Sequence, residues 1–352
     1  MKKSFWPFCV LLCMNLFYAN SQQHFRVMSY NVENLLDTKD NPKTIDDEFL
    51  PKGSRYWTNG RYIHKLQQIA KVISAAGEWD TPAIVGLCEI ENDSVLDRLV
   101  NQTSLRLQQY RYCLTSTSDQ RGINVALLYQ RDKFGYIAHH SHPVRFASGT
   151  IRSTRDILHV YGEIISGDTL DVFVCHFPSR YGGEKESENR RLEAARTLRL
   201  LCDSLYNVRK KPQFLIMGDF NDTPGDKSLR NILTALPYSS FSKQEKENLS
   251  PKDQLQLYNL FADSDQFRFP GSHKYQGEWN QLDHIIVNKE LLDHSSAMCL
   301  DAETVRLFAP DFLLVKDKTW HGLRPKRTYY GFKYEKGYSD HLPLLADFYI
   351  TF

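Results

Sequence analysis

The chain has 352 residues, of which 41% are hydrophobic and 24% are charged, as in a well-packed globular protein. Its 44 lysines and arginines face 42 acidic residues, and loss of Lys2 and Lys3 with an N-terminal leader would leave 42 of each sign. A neutral chain argues against a protein that binds nucleic acid chiefly through a large basic surface, although a local basic patch would support weaker contact.

The N-terminus has the three parts of a secretory signal. Lys2 and Lys3 form a basic start, residues 5–18 are apolar, and residues 19–21 (Ala-Asn-Ser) form a small-residue cleavage site. Because Pro7 and the short apolar stretch are unlike a membrane span, we predict no stable membrane insertion. We expect a signal peptide over residues 1–21 and a periplasmic or secreted protein.

The chain beyond this segment reads as one domain, residues 22–352. Its length would allow two domains, but it contains no repeat and no Pro/Ser-rich linker. We expect a monomer.

Hydrophobic periodicity predicts a series of alternating strands and helices. In chain order these are a strand over 25–33, a polar loop over 37–60, a helix over 61–76, a strand over 83–88, a helix over 95–107, a strand over 123–129, strands over 157–165 and 170–176, a helix over 187–205, a strand over 213–218, a polar excursion over 240–256, and strands over 283–287 and 342–350. Gly167-Asp168 is a hairpin signal between two of the strands. The pattern predicts a mixed α/β protein with two sheets packed together.

Polar side chains follow several of these strands at the point where each strand ends. They are Asn31, Glu89, His176, Asp219, Asn221, Asp283, Asp340 and His341. Strand ends that face one way would gather them at one edge of the core. Carboxylates, amides and imidazoles in one pocket can bind a hard cation and a phosphate together.

Each of these motifs taken alone also has a structural interpretation. Asp219 and Asn221 are typical turn formers, but two residues apart at a strand end they can also project from one face and position a water and a phosphate. Either Glu89 or Glu91 is suited to bind a metal, since alternate strand residues share a face, and we favour Glu89 because it is nearer the apolar segment.

The same holds for the histidines and their neighbours. Asp283 is either a strand-end cap or the carboxylate that holds the His341 imidazole in one tautomer. Asn31 fits a turn, and His176 fits a structural role as well as a catalytic one.

In this order the motifs resemble the endonuclease/exonuclease/phosphatase family, which includes DNase I-like nucleases. The matching segments run from residue 25 to the C-terminus: Tyr30-Asn31-Val32, Cys88-Glu89, Arg155-Asp156-Ile157-Leu158, His176-Phe177-Pro178-Ser179-Arg180, Gly218-Asp219-Phe220-Asn221-Asp222, Leu282-Asp283-His284 and Tyr338-Ser339-Asp340-His341-Leu342-Pro343. The resemblance implies a four-layer α/β/β/α sandwich, in which two packed mixed sheets are flanked by helices and the site lies at their open end.

The resemblance also implies ligands for a metal and for the phosphate. It makes Asn31 and Glu89 ligands of a divalent ion, Mg²⁺ or Mn²⁺, with Asp340 nearby, and amide and carboxylate oxygens suit these ions. His176 and Arg155 would contact the phosphate of the substrate.

The remaining roles concern the nucleophile and the transition state. Asp219 and Asn221 would position the attacking water and the phosphate. His341, oriented by Asp283, would act as a base or stabilise the transition state. These assignments make the chain a metal-dependent phosphoester hydrolase.

The resemblance implies a phosphoester substrate, with nucleic acid among the candidates. We expect an exported phosphodiesterase, in the first place a nuclease, with a phosphatase or a phospholipase C-like enzyme acting on lipid headgroups or sugar phosphates as the alternative. Residues 179–183 and 271–279 resemble an uncharacterised bacterial branch of the family rather than its lipid or apurinic-site enzymes. An inactive binding module with the same fold is the alternative of another class.

Overall fold

The structure is a computed structural model that describes residues 22–116, 119–144, 146, 154–241 and 254–352. The predicted signal peptide, residues 1–21, lies outside the described residues, as does most of the polar excursion expected over 240–256. Among the described residues no helix combines the length and the apolar character needed to cross a membrane.

The described chain forms three α-helices and 19 strands, which we number in chain order. The helices are α1 Asn59–Gly77, α2 Asp93–Asn101 and α3 Glu184–Val208. The strands are β1 Gln22–Leu35, β2 Ile84–Ile90, β3 Arg111–Leu114, β4 Asn124–Tyr129, β5 Gly135–His142, β6 Ile157–Glu163, β7 Thr169–His176, β8 Phe214–Asp219, β9 Ala235–Pro237, β10 Leu257–Asn259, β11 His273–Tyr275, β12 Glu278–Asn280, β13 Asp283–Asn288, β14 Met298–Leu307, β15 Leu314–Lys316, β16 Leu323–Pro325, β17 Tyr329–Tyr330, β18 Lys333–Tyr334 and β19 Leu344–Thr351.

Two large mixed sheets contain most of the strands. The first has the order β14-β19-β1-β2-β4-β3 and the second the order β5-β6-β7-β8-β13-β10-β9. At the centre of each sheet two strands run parallel, β1 with β2 and β7 with β8. Three two-stranded ribbons, β11-β12, β15-β16 and β17-β18, lie outside the sheets.

The side chains of the second sheet alternate between two apolar cores. Val172 and Val174 of β7 lie in the core shared with the first sheet, whereas Phe173 and Cys175 pack with α3. This alternation follows from the two-residue period of a strand. The helices α1 and α2 pack with the first sheet in the larger core, and α3 packs on the second sheet, so the molecule has helix, sheet, sheet and helix layers, as expected.

Gly86 shows how closely the two sheets approach. A Cβ atom added to this residue of β2 would lie 2.4 Å from the Sδ atom of Met217 on β8. The absence of a side chain at this position therefore allows the two sheets to pack at their centre.

Two predictions about elements were wrong in detail. The helix expected over 95–107 is divided into α2 and a 3₁₀ helix, Ser104–Gln108. Thr103 divides them, since its hydroxyl donates to the Leu99 carbonyl at 2.5 Å and accepts from the Leu105 amide at 3.2 Å. Strands β5 and β14 were missed because each is an edge strand without a continuous apolar run.

Candidate active site

The topology brings the polar strand ends together. On the parallel pair β7 and β8, His176 is opposite Asp219, and on the antiparallel pair β8 and β13, Asp219 is opposite Asp283. On the first sheet Asn31 is opposite Cys88, the residue before Glu89. His176 and Asp219 thus reach the site because their strands end there, and Asp283 because its strand begins there. Asn31 lies where the register between β1 and β2 is interrupted.

Asp219 lies at the centre of the group. The Asn31 side-chain amide donates to its Oδ2 at 3.0 Å, and the Asn221 backbone amide donates to its Oδ1 at 2.8 Å. The Nε2 atoms of His176 and His341 lie 3.7 and 3.9 Å from its Oδ2. Burial, followed by the charge of Asp283, raises the pKa of Asp219 to about 7. The carboxylate is therefore suited to exchange a proton near neutral pH.

Asp283 and His341 form a hydrogen-bonded pair. Asp283 Oδ2 lies 2.6 Å from His341 Nδ1 and also accepts from the Ser272 hydroxyl at 2.5 Å. Burial lowers the pKa of His341, but the charge and hydrogen bond of Asp283 outweigh it and hold the pKa well above its usual range. The imidazole is consequently protonated at neutral pH, with Nε2 directed towards Asp219.

A second imidazole, His273, packs on the first. Its ring centroid is 4.6 Å from that of His341, and its Nε2 lies 3.9 Å from Asp340 Oδ2. Burial, and then the charge on His341, lower the pKa of His273 to about 4, so this ring is neutral. Sequence reasoning did not identify His273, because it lies in a short ribbon without a periodic signal.

Asp340 and Glu33 bind a common arginine. Arg327 donates to Asp340 Oδ2 at 2.6 Å and to Glu33 Oε1 at 3.2 Å, and buried Lys65 lies 3.9 Å from Glu33. Burial raises the pKa of Glu33, and the charge of Asp340 adds to the effect. Sequence reasoning missed Glu33, Lys65 and Arg327, although Glu33 follows Asn31 by two residues on the same strand.

The structure separates Glu89 from Glu91. Glu89 Oε1 lies 3.9 Å from His176 Nε2, and its Oε2 accepts from the Asn34 backbone amide at 2.7 Å. Its φ of 68° lies in the left-handed region, which is uncommon for a glutamate. Glu91 instead accepts from the backbone amide of Asp37, in the loop after β1. Glu89 is therefore the carboxylate that belongs to the site.

Arg155 binds the backbone that carries His176. The guanidinium donates to the carbonyls of His176 and Phe177 at 3.2 and 2.6 Å and pairs with Asp119 at 3.2 Å. The Asn221 side-chain amide also donates to the Phe177 carbonyl, at 3.1 Å. In this structure the two side chains thus fix the His176-Phe177 segment in place.

The donor set fits a divalent cation. Among the described residues, histidine and carboxylate ligand atoms lie within 4.8 Å of one another in two groups, Asp219-Asp283-His341 and His273-Asp340-His341. Because the imidazole common to both groups is protonated, their carboxylate oxygens are the donors that suit a hard cation. Asn31 and Glu89 add an amide and a carboxylate beside them. Burial and, after it, the charge of Asp283 raise the pKa of Asp219, and a bound cation would favour the ionised carboxylate.

Comparison with known proteins agrees with this geometry. Residues 26–350 match the model of a family described as endonuclease/exonuclease/phosphatase. No curated protein is detectably similar in sequence.

Solved structures match nearly the whole chain. An endonuclease/exonuclease/phosphatase family protein from Bacteroides thetaiotaomicron has 14% identity and a TM-score of 0.56, covering 94% of this chain and 97% of that one. A mannosyl-6-phosphatase from the same organism has 15% identity and a TM-score of 0.55, covering 92% and 99%. The human Nocturnin catalytic domain has 16% identity and a TM-score of 0.53, covering 94% and 98%. At these identities the likeness concerns the fold.

Proposed function

The chain belongs to the endonuclease/exonuclease/phosphatase family and is a phosphoester hydrolase, and we propose that it is an exported enzyme that depends on Mg²⁺ or Mn²⁺. The observation that carries the proposal is the Asp283–His341 pair, whose imidazole faces Asp219 where the ends of the two sheets meet.

Asp219 and His341 have complementary tasks in this mechanism. The Asp219 carboxylate, whose ionised form a bound cation favours, orients the attacking water and accepts its proton. His341 is already protonated, so it stabilises negative charge on the phosphoryl oxygens rather than acting as a base. Asp283 supplies the charge that keeps His341 protonated.

Glu89 and Asn31 would hold the cation, with Asp340 beside them. The ion supplies Lewis-acid stabilisation of the phosphoryl oxygens and of the leaving oxygen. Two of the candidate ligands are already held by the protein: Asn31 by its hydrogen bond to Asp219, and Glu89 by the Asn34 amide. This orientation reduces the reorganisation that binding requires.

A pocket beside the site favours a small substrate. It has a volume of about 330 Å³, opens beside Asp340 and Arg327, and is walled by Tyr275, Trp320 and Tyr330. The Arg324 guanidinium lies over the Tyr330 ring at 4.4 Å, whereas Tyr275 and Trp320 are 62% and 49% exposed. Exposed aromatic side chains of this kind stack on the ring of a sugar or a base. We therefore favour a phosphoester with one ring-bearing group over a long duplex.

The basic groups of this pocket do not form an open cationic surface. Lys274 pairs with Asp317 at 3.2 Å, and Arg324 pairs with Glu335 at 2.7 Å. Ion pairs of this type offer hydrogen bonds to hydroxyl groups without a large net charge. They suit a hydroxyl-bearing ring better than a further phosphate.

A substrate panel tests the proposed activity. Plasmid DNA, RNA, sphingomyelin, phosphoinositides, nucleotides and sugar phosphates are each incubated with the enzyme and Mg²⁺, and phosphate or product release is measured. We expect the fastest turnover on a nucleotide or a sugar phosphate. Faster turnover of plasmid DNA or RNA would favour the nuclease that the sequence analysis expected in the first place, and inertness towards every substrate would favour the inactive binding module.

Export is tested separately by mass spectrometry of the protein secreted or released from the periplasm. The proposal predicts an N-terminus at residue 22. Recovery of the intact chain from the cytoplasm alone would contradict it.

A further inference from the structure

The tip of the β15-β16 hairpin holds a half-exposed tryptophan beside the candidate active site. Residues 317–322 form the turn between the two strands. Trp320 in this turn lines the same pocket as Asp340 and Arg327. The pocket therefore extends from the strand ends that carry the polar groups to an aromatic ring on a short ribbon.

A buried ion pair fixes the backbone of this turn. Asp317 Oδ1 accepts from the backbone amides of Thr319 and Trp320 at 3.1 and 2.9 Å. Its Oδ2 lies 3.2 Å from Lys274 Nζ, which also donates to the His321 carbonyl at 2.8 Å. The side chains of Lys274 and Asp317 are only 5% and 3% exposed. Because hydrogen bonds to charged groups are stronger than neutral ones, the pair holds the turn on both sides of Trp320.

A glycine of the neighbouring ribbon allows that ribbon to approach the indole closely. Gly277 lies in the turn between β11 and β12 and has a φ of +91°. A Cβ atom added there would lie 3.2 Å from Cβ and 3.5 Å from Cε3 of Trp320. The absence of a side chain at this position thus lets the ribbon pack against the tryptophan.

The other two aromatic residues of the pocket are less suited to select a substrate. Tyr330 already has the Arg324 guanidinium 4.4 Å from its ring centroid. Tyr275 has a free ring but is more exposed than Trp320. Since Trp320 is more sheltered and is supported by Gly277, it loses less conformational entropy when a ligand stacks on it.

We propose that Trp320 determines the specificity of this site by stacking on the ring of the group esterified to the phosphate, and that Lys274 positions Trp320. The inference rests on the proposed function, because the phosphate is held at the strand ends while the ring extends along the pocket. The chemistry recognised is the flat face of a ring, which both a pyranose and a nucleobase present. A phosphoester without a ring lacks this contact and binds more weakly.

Equilibrium binding of phosphonate analogues tests the specificity independently of turnover. Calorimetric titrations in the presence of Mg²⁺ compare the methylenephosphonate analogues of glucose 6-phosphate, adenosine 5′-monophosphate and glycerol 3-phosphate, whose carbon–phosphorus bond is not hydrolysed. We expect at least one ring-bearing analogue to bind the wild type about tenfold more tightly than the glycerol analogue does. In Trp320→Ala this preference should disappear, and the analogue that shows it in the wild type identifies the ring as a sugar or a base.

Two further variants serve as the control and as the test of positioning. Trp79→Ala is the matched control, because Trp79 is fully exposed after α1 and does not line the pocket, and it should keep the wild-type preference. Lys274→Met should lose the preference. The double variant Lys274→Met/Trp320→Ala should bind the ring-bearing analogue no more weakly than Trp320→Ala, since Lys274 acts through Trp320.

The wild type's preference for neither ring-bearing analogue would overturn the proposal, as would a preference that persists in Trp320→Ala or is lost equally in Trp79→Ala. Weaker binding by the double variant than by Trp320→Ala would overturn the positioning role of Lys274. The proposed function fails by a different result, the absence of hydrolysis of every phosphoester. Because the titrations need no turnover, the two failures are distinguishable.

Discussion

Glu89 and Glu91 show how two residues of one type, two positions apart, acquire different roles. Glu89 turns into the site through a left-handed backbone conformation and lies beside His176. Glu91 binds the backbone of the loop after β1, and burial raises its pKa to about 7. The strand pattern left both glutamates as candidates because alternate residues of a strand share a face. The irregular register after Cys88 breaks this alternation in the structure and separates the two.

We predict that Glu89→Gln weakens Mg²⁺ or Mn²⁺ binding by at least about tenfold, because an amide replaces a charged oxygen ligand. Calorimetric metal titration measures the effect. Glu91→Gln is the matched control and should bind the metal as the wild type does. Wild-type affinity in Glu89→Gln would remove Glu89 from the ligand set.

Asp283 and His341 should act as a unit. We predict that Asp283→Asn and His341→Ala each lower kcat by about 10²–10⁴-fold and that the double variant is little slower than either, since neither residue works without the other. Steady-state rates of the three variants measure this. Fully additive losses would show that the two residues act independently.

The dependence of activity on pH provides a second test of the Asp283–His341 pair. The charge of Asp283 raises the pKa of His341, so the protonated, active form persists above the pH at which an ordinary histidine loses its proton. In Asp283→Asn this pKa falls, and the decline of activity with rising pH should move to lower pH.

Strand ends were easier to predict than the segments that complete the site. Asp219 follows an apolar strand and Asp340 precedes one, so their placement follows from sheet topology. Arg327 and His273 come from the short ribbon segments between β10 and β19, which have no periodic hydrophobic pattern. Their positions depend on tertiary contacts that local sequence does not encode.

Gly218 is the glycine on which the position of Asp219 depends. Its φ is +137°, and a Cβ atom there would lie 1.9 Å from the Cys175 carbonyl oxygen. We predict that Gly218→Ala lowers the free energy of unfolding by about 2–4 kcal/mol, from backbone strain and overpacking together.

Urea denaturation measures this change. Gly225→Ala is the control, since a Cβ atom there meets nothing within 4 Å, and it should stay within about 0.5 kcal/mol of the wild type. Equal stability of the two variants would show that the strand end tolerates a side chain.

At the scale of the whole molecule, the four-layer fold could be predicted because the order of the motifs along the chain resembles that of a known family, whose fold the resemblance implies. Periodicity alone gave mixed α/β with two sheets and left the pairing of strands open. The edge strands β5 and β14 and the three ribbons were not found from sequence, since exposed strands lack a buried apolar face.

The neutral charge of residues 22–352 leads to a prediction about nucleic acid. We expect weak binding to long duplex DNA, because a neutral chain neutralises few phosphates. The salt dependence should then be shallow, since each phosphate neutralised adds about 0.9 to the slope of log affinity against log salt. Filter binding over a salt series measures the slope. Tight binding with a steep slope, typical of proteins that contact many phosphates, would favour a dedicated nuclease.

The central claim is that the joined strand ends hydrolyse phosphoesters with a divalent cation, and a single rate measurement tests it. Hydrolysis of a chromogenic phosphodiester is followed in metal-free wild-type enzyme, after addition of Mg²⁺, and after addition of a chelator, with His341→Ala in parallel. We predict activity that appears with Mg²⁺, disappears with the chelator and is nearly lost in His341→Ala. Hydrolysis that persists in the chelator, or that survives unchanged in His341→Ala, would contradict the account.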